Sequence, residues 1–335
     1  MSSYKRLVGF TTVLTFLLIM LGAFVRLTDA GLGCPDWPGC YGKILPTQAA
    51  AEIAAAVEAQ GGTHGAVSMP KAWKEMAHRY VATFLGILII AIMVMAWKKR
   101  HELRQSPTLA TVLFFAVCLQ GAFGAWTVTM LLKPAIVTGH LIGGMTILGL
   151  LTWLWLRQTD PAKNLPTTNR TGTLKLLAKI GFVAVIAQII LGGWVSTNYA
   201  AVVCTDFPTC RGSLWPEMEF DNAFTIIRPL GETATGEMLN VNSLTAIHVT
   251  HRIGAIVVTL ILGALAVALW RTPGAKALGA KVAGVLTLQL AMGIGNVVFQ
   301  LPLWLAVAHN GGAALLVVTL ILVNYRVAGN RRPSS

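Results

Sequence analysis

The chain has 335 residues, of which 55% are hydrophobic and only 12% are charged, and its mean hydropathy is +0.67. A soluble globular domain carries about 25% charged residues, and disordered chains are poor in apolar residues, so both classes are excluded. The formal net charge of +13 suggests nucleic-acid binding in a soluble protein. In a membrane protein it more often reflects Lys and Arg collected on the cytoplasmic side.

Eight apolar stretches approach the roughly 20 residues that a helix needs to cross the core of a bilayer. In chain order they are Leu7–Leu27, Tyr80–Trp97, Leu109–Leu132, Pro134–Leu156, Ile180–Thr197, Ile253–Trp270, Val282–Leu301 and Leu303–Tyr325. The first stretch is too long for a removed signal peptide and lacks its small-residue cleavage site. No transit segment rich in Arg and Ser precedes it, which favours a bacterial protein. The sequence predicts an all-α integral membrane protein with eight transmembrane helices.

The distribution of Lys and Arg predicts the orientation of these helices. An even number of spans puts both termini on one side of the membrane. The termini and the connections on their side hold 17 of the 26 Lys and Arg residues, whereas the opposite connections hold six. Because basic residues collect in the cytoplasm, both termini are expected there, in a bacterial inner membrane surrounded by lipid. The excess of Lys and Arg over Asp and Glu is then explained by the orientation of the chain in the membrane, and no nucleic-acid partner is expected.

An internal repeat spans nearly the whole chain, because four motifs recur at almost constant spacing. The recurring pairs are Cys34–Cys40 with Cys204–Cys210, Glu75–Arg79 with His248–Arg252, Gln120 with Gln289, and His140 with His309. The repeat predicts two pseudo-symmetric four-helix bundles in parallel topology, an arrangement also known in transporters. We expect the halves at 1–157 and 176–335, a cytoplasmic linker at 158–175, outer loops at 28–77 and 198–250, and a short surface helix within Gln48–Gln60.

Four histidines occupy equivalent places in the two halves. His78 and His251 are expected at the outer start of their spans, and His140 and His309 about 9 Å inside theirs, at 1.5 Å per residue. Each half thus presents two imidazoles at a similar outer depth. Bundles hold cofactors between facing helices, and heme iron accepts axial imidazole, whereas zinc prefers four N or S ligands. The pattern predicts a heme in each half, with four separately hydrogen-bonded histidines as the alternative.

Two arginines and a glutamate accompany these histidines. Arg79 and Arg252 directly follow His78 and His251, where a helix N-terminus disfavours a cation. Heme propionates would compensate them through charge-assisted pairs, with snorkelling to the lipid interface as the alternative. Arg26 is a weaker candidate for the same role.

Glu75 lies one helical turn before His78, and the equivalent residue in the second half is His248. A carboxylate beside a bound heme can move protons. The asymmetry therefore predicts chemistry in the first half and a permanent cofactor in the second. The alternative for Glu75 is an acid favoured by the helix dipole, and His248 is interpreted as a spare polar contact. His64 and His101 have no repeat partner and are given no role.

Four of the five cysteines form two pairs, Cys34/Cys40 and Cys204/Cys210, that are expected on the oxidising side, where disulfides persist. Structural disulfides are the main interpretation. A redox-active pair is the alternative, above all for Cys34/Cys40, and a shared zinc site is a weaker one. Cys118, within the third span, is interpreted as a core thiol.

Together these features resemble the heme A synthase family over essentially the full length of the chain. The resemblance is carried by the segment Arg26–Cys40, the Glu75-x-x-His78-Arg79 motif and the duplicated histidines. It implies oxidation of the C8 methyl of heme O to the formyl of heme A, by successive hydroxylations and loss of water. The residue roles that it implies are Glu75 as acid/base group, His78 and His140 as ligands of the substrate heme, His251 and His309 as ligands of an electron-passing heme b, and both cysteine pairs as disulfides.

The resemblance also implies partners, namely heme O synthase, the cytochrome oxidase assembly machinery and an unidentified electron donor. Two other classes stay open. A b-type cytochrome that only passes electrons would share the histidines and arginines but would not need Glu75. A heme or small-molecule transporter would have discontinuous helices, for which Gly293 and Gly295 are the only hint. An iron with two axial histidines has no open position, so His78 or His140 must leave during turnover, or the substrate iron is not the oxidant.

Overall fold

The computed structural model describes residues 3–103, 105–159 and 171–328. Within them, eight helices are long and apolar enough to cross a membrane, which confirms the prediction. They are α1 (Ser3–Leu27), α3 (Met69–Lys98), α5 (Thr108–Thr129), α6 (Pro134–Thr159), α7 (Thr171–Thr197), α8 (Val241–Trp270), α9 (Lys276–Val298) and α10 (Leu303–Ala328). The connections contain the short helices α2 (Ala50–Ala59) and α4 (Arg100–Leu103) and two 3₁₀ turns, Pro46–Ala49 and Ala200–Val202.

Helices α3 and α8 begin well before the apolar stretches that predict them, so the outer loops are shorter than the expected 28–77 and 198–250. The cause is local capping. The side chain of Ser68 accepts a hydrogen bond from the backbone N–H of Lys71, with Pro70 in the first turn, and Asn240 accepts one from Ser243 at 2.7 Å. Such caps satisfy the free N–H groups of a helix start. The loops therefore end at residues 68 and 240.

The helices pack as two similar groups around α6 and α10, which contact each other. In the first group α1 packs on α3 and α6, and α5 packs on α6; in the second, α7 packs on α8 and α10, and α9 packs on α10. Each group has a buried apolar cluster, centred on residues such as Ile89 and Leu151 in the first and Leu262 and Leu320 in the second. These contacts are consistent with two four-helix halves.

The outward faces of the helices expose large apolar side chains, as expected for contact with lipid tails. Phe115 and Leu119 on α5 and Leu260 on α8 are among them. Cys118 shares the exposed side of α5, so its interpretation as a core thiol is wrong. Because α5 is apolar on all sides, its sequence does not indicate which side packs inward.

Helix α9 runs without interruption through Gly293 and Gly295, and this removes the hint of a discontinuous transport helix. Part of the predicted linker, residues 160–170, lies outside the described residues. The same holds for Arg104, Arg331 and Arg332, which contribute to the predicted orientation.

Candidate functional site

Two loops closed by disulfides follow the ends of α1 and α7. The bonds join Cys34 to Cys40 and Cys204 to Cys210, so both predicted disulfides are present. We call the end of the helix bundle that carries these loops the disulfide end. In the first loop, Cys34 and Cys40 share a buried cluster with Ile53 of α2 and Met76 of α3. The predicted surface helix thus covers the first disulfide loop.

An aspartate holds each disulfide loop in shape. The carboxylate of Asp36 accepts hydrogen bonds from the backbone N–H groups of Tyr41 and Gly42 at 2.6 and 2.7 Å. Asp206 does the same for Arg211 and Gly212 at 2.7 and 2.9 Å. Hydrogen bonds from the Thr209 side chain and from these N–H groups lower the pKa of Asp206 to about 2.

Glu75 lies on α3 directly beneath the first disulfide loop and is only 4% exposed. Its Oε2 accepts a hydrogen bond from the backbone N–H of Cys34 at 2.9 Å, and its Oε1 accepts one from Nη2 of Arg79 at 2.6 Å. Both carboxylate oxygens are therefore held, and the buried negative charge is paired with a cation. Glu75 is the seventh residue of α3, so it is not the helix-terminal acid of the alternative interpretation.

Arg79 and Arg252 bind main-chain carbonyls of the disulfide loops. Arg79 donates from Nη1 to the carbonyl oxygens of Asp36 and Gly39 at 2.8 and 2.5 Å. Arg252 donates to those of Thr209 and Asp206 at 2.8 and 3.0 Å. Both lie several turns inside their helices, so the expected conflict with the helix dipole does not arise. Nε of Arg252 is buried and has no hydrogen-bond partner among the described residues.

Arg26, at the end of α1, joins the two groups of helices. It donates to the carbonyl of Ser196 at 2.7 Å and pairs with Asp29 at 3.2 Å. Its guanidinium also lies 4.2 Å from the centre of the Tyr199 ring, and the Tyr199 hydroxyl donates to Asp29 at 2.8 Å. The described contacts of Arg26 are thus internal to the protein, and the propionate contact stays a prediction.

His78 and His140 meet inside the first group of helices, with ring centres 6.5 Å apart. Each ring lies against a glycine of a neighbouring helix. A Cβ atom at Gly22 would be 3.1 Å from Cε1 of His78, and one at Gly124 would be 3.3 Å from Cε1 of His140. The predicted pairing of these two histidines is present, although His78 lies ten residues into α3 rather than at its start.

The same glycine contacts recur in the second group of helices. A Cβ atom at Gly192 would be 3.1 Å from Cε1 of His251, and one at Gly293 would be 3.0 Å from Cε1 of His309. A Cβ atom at any of these glycines would be closer than an ordinary van der Waals contact, so the imidazole or the neighbouring helix would have to shift by a few tenths of an ångström.

His248 occupies the position in α8 that Glu75 occupies in α3. Its Nδ1 donates a hydrogen bond to the carbonyl oxygen of Ala200 at 2.8 Å, and the side chain is 5% exposed. The interpretation of His248 as a polar contact agrees with this bond. Each residue of the pair thus connects its helix to the segment that follows α1 or α7.

Sequence reasoning missed three glutamines that contact the histidines. Gln120 donates to the carbonyl oxygen of His140 at 2.8 Å. Gln188 donates to that of His251 at 2.9 Å, and the same Nε2 lies 3.0 Å from Nδ1 of the ring. Nε2 of Gln289 lies 3.4 Å from Nε2 of His309. Gln120 and Gln289 mark the repeat, and that recurrence was the available signal.

Arg228, in the second long loop, was also missed and is 2% exposed. It donates to the carbonyl of Glu232 at 2.9 Å and to the side chain of Asn198, and its guanidinium lies 5.7 Å from the centre of the Trp194 ring. Burial lowers its pKa. A lone arginine in a long loop carries no recurring sequence signal that would identify it.

The residues of the first group fit a heme. Nδ1 of His78 and Nδ1 of His140 are buried and have no hydrogen-bond partner in the described structure. A metal–imidazole bond is about 2.0 Å long, so the separation of the rings leaves room for one metal ion. Among the described residues, no three His, Cys, Asp or Glu side chains are grouped to hold a metal. A heme would supply the other donors of an iron held between the two histidines.

Comparison with known proteins identifies the family of the chain. The family model described as "Cytochrome oxidase assembly protein" (COX15-CtaA) matches residues 5–321. The heme A synthase of Shewanella oneidensis is 42% identical over 95% of both chains. Those of Methylobacterium radiotolerans and Caulobacter sp. are 29% and 27% identical, over 93% and 96% of this chain and 86% and 94% of their own. The chain belongs to the COX15-CtaA family of cytochrome oxidase assembly proteins.

Proposed function

We propose that the chain is a heme A synthase, an oxidoreductase of heme biosynthesis that converts the C8 methyl group of heme O to the formyl group of heme A. The similar proteins named above support this function. The observation that carries it is the buried Glu75, one turn from His78 in the His78–His140 pair. A cytochrome that only passes electrons needs the two histidines but no acid/base group beside them.

In this proposal His78 and His140 hold the iron of heme O as substrate. Each of two hydroxylations would insert one oxygen atom of molecular oxygen into a C–H bond of the methyl carbon, while two electrons from the donor and two protons reduce the other oxygen atom to water. The resulting hydrated aldehyde loses water to leave the formyl group. Glu75 takes up and returns protons at its carboxylate, which the N–H of Cys34 and the guanidinium of Arg79 keep in one orientation. Fixing the carboxylate in advance lowers the cost of positioning it during the reaction.

We further propose that His251 and His309 hold a heme b as resident cofactor. A bound heme b supplies one-electron transfer, with electrons from a donor that remains unidentified. Nδ1 of His309 is buried without a partner in the described chain, as is Nε of Arg252. That free N–H of Arg252 can pair with a heme propionate. Arg79 and Arg26 already bind protein groups, so their propionate contacts are the weaker part of this proposal.

The placement in the cell is also proposed. The chain would span a bacterial inner membrane with both termini in the cytoplasm and the disulfide end outside, where disulfides persist. Residues 1–157 would form the substrate half and residues 176–335 the heme b half, related by pseudo-symmetry. Heme O synthase would supply the substrate, and the cytochrome oxidase assembly machinery would take up the product.

Extraction of hemes from membranes tests the function. A host that makes heme O is grown with and without the chain, and the extracted hemes are separated and identified by mass. We expect heme A only when the chain is present. Glu75→Gln should lower heme A by at least about 100-fold, because acid/base groups contribute roughly that much, and should leave the heme b spectrum unchanged. Glu58→Gln, at an exposed position of α2, is the matched control.

The other outcomes separate the alternatives. Normal heme A from the Glu75→Gln variant would refute the acid/base role. Heme B on the purified protein without heme A or a hydroxylated intermediate would favour an electron-transfer cytochrome. A protein with no heme would favour a transporter.

A further inference from the structure

Three of the four histidines share an arrangement that the fourth lacks. Each of the three is followed, three residues later, by a glycine, and a glutamine from the neighbouring helix fills the space beside that glycine. The sets are His140, Gly143 and Gln120; His251, Gly254 and Gln188; and His309, Gly312 and Gln289. A Cβ atom at any of these glycines would overlap the amide oxygen of its glutamine. The glycine therefore makes the room that the glutamine occupies.

The glutamines tie each histidine to a second helix. Gln188 on α7 binds both the ring and the carbonyl of His251 on α8, and Gln120 on α5 binds the carbonyl of His140 on α6. Gln289 on α9 reaches the ring of His309 on α10. A buried amide has few alternative partners inside an apolar bundle, so such contacts fix the relative position of the two helices.

His78 is the exception. Leu18 stands where the repeat places Gln188, and Val81 stands where it places Gly254. Both belong to the apolar cluster of the first group. The ring is otherwise placed as in the second group, since Gly22 and Gly192 approach His78 and His251 at the same 3.1 Å. Among the described residues no glutamine contacts the ring or the main-chain carbonyl of His78, whereas its unpaired Nδ1 is shared with His140 and His309.

We propose that His78 is the exchangeable ligand of the substrate heme and that Gln120, Gln188 and Gln289 are positioning residues for the three permanent ligands. This inference rests on the function proposed above. Outer partners of a ligating histidine are worth about 10–100-fold in metal affinity. Only His78 lacks a glutamine that holds its ring or its main chain, so it is the ligand that is released first. Release of His78 opens one iron position in the half that contains Glu75. The second half keeps both ligands, which suits a heme that only passes electrons.

Exchanging the residues between the halves tests this assignment. Gln188→Leu combined with Gly254→Val gives His251 the surroundings of His78. The purified full-length protein is reduced and titrated with carbon monoxide, which binds ferrous heme only where an axial position is free. We expect resident heme b of the unaltered protein to resist carbon monoxide. In the double variant its affinity for carbon monoxide should rise by at least about tenfold.

The converse variant acts on the first half. Leu18→Gln combined with Val81→Gly installs the missing glutamine beside His78. We expect heme O still to copurify, its carbon monoxide binding to fall at least about tenfold, and heme A formation to fall with it. Leu18→Gln alone is the matched control, because Val81 still fills the space that the amide needs.

Specific results would overturn the assignment. Unchanged carbon monoxide affinity of heme b in the first double variant, at equal heme content, would show that Gln188 does not position His251. If the double variant does not retain heme b, the single variant Gln188→Leu is tested instead by the rate at which its heme b transfers to apomyoglobin. A transfer rate equal to that of the unaltered protein would show that Gln188 does not position His251. Unchanged carbon monoxide binding by heme O in the converse variant would show that His78 is not exchangeable. A protein that binds no heme would instead overturn the proposed function.

Discussion

Asp206 organises a whole loop through hydrogen bonds to its carboxylate. The hydrogen bond from Thr209 and those from nearby backbone N–H groups lower its pKa to about 2, against about 3.9 in an unfolded chain. Because the folded pKa is the lower one, the carboxylate stabilises the loop fully above about pH 4. This contribution is lost as the pH falls through 2.

A titration of this single carboxyl group tests that statement. In protein labelled with ¹³C at aspartate carboxyls, we expect the Asp206 signal, assigned by its loss in Asp206→Asn, to titrate with a midpoint near 2. The variant should also remove the acid sensitivity of proteolysis within the Cys204–Cys210 loop. A midpoint near 3.9 would contradict the hydrogen bonding described above.

The sequence predicted the residues that recur and missed those whose partners are main-chain atoms. The histidine pairs and the cysteine pairs keep a nearly constant spacing, so their proximity could be predicted from the repeat. The loop-binding role of Arg79 could not, because carbonyl oxygens belong to every residue and leave no pattern. The contact of Gln188 with His251 could not be predicted from the repeat either, because the equivalent residue in the first half is Leu18 rather than glutamine.

At the scale of helices, close approach at glycine sets where the imidazoles lie. Gly293→Ala adds a Cβ atom 3.0 Å from Cε1 of His309, whereas Gly284 on the same helix faces open space. We expect Gly293→Ala to lower the heme b content of the purified protein several-fold. Gly284→Ala should leave the heme b content unchanged, because its Cβ atom would meet no neighbouring atom. The substitution should not weaken the helix either, since alanine is favoured over glycine in a helix by about 1 kcal/mol. Equal heme content in the two variants would argue against the contact.

The number of membrane-crossing segments was predicted correctly, but the points at which two of the helices begin were not. Apolar stretches indicate what crosses a bilayer, and all eight were found in this way. The starts of α3 and α8 instead depend on Ser68 and Asn240, whose side chains cap the helices in polar sequence. Both are residue types that favour helix starts, so a search for caps would have placed the loop ends correctly.

For the whole molecule, the contacts of Arg26 and Tyr199 connect the two groups of helices at the disulfide end. Arg26→Ala removes the hydrogen bond to Ser196 and the contact with the Tyr199 ring. We expect a lower thermal midpoint, corresponding to a loss of about 1–2 kcal/mol, with heme content unchanged. Tyr199→Phe, which removes only the hydroxyl bond to Asp29, should cost less. Loss of heme from Arg26→Ala would instead support the predicted propionate contact.

The same contacts bear on the ancestry of the chain. Arg26 and Ser196 are 170 residues apart and touch, and so are Asp29 and Tyr199; both separations equal the spacing of the repeat. In a symmetric dimer of identical chains, a residue that meets its own copy lies on the two-fold axis. A half-length ancestor would have brought two copies of one residue together at each of these places. Had the chain arisen by fusion of two such copies, the fused copies could differ, and the present contacts of a cation with a carbonyl and of a phenol with a carboxylate would stand where two copies of one residue once met.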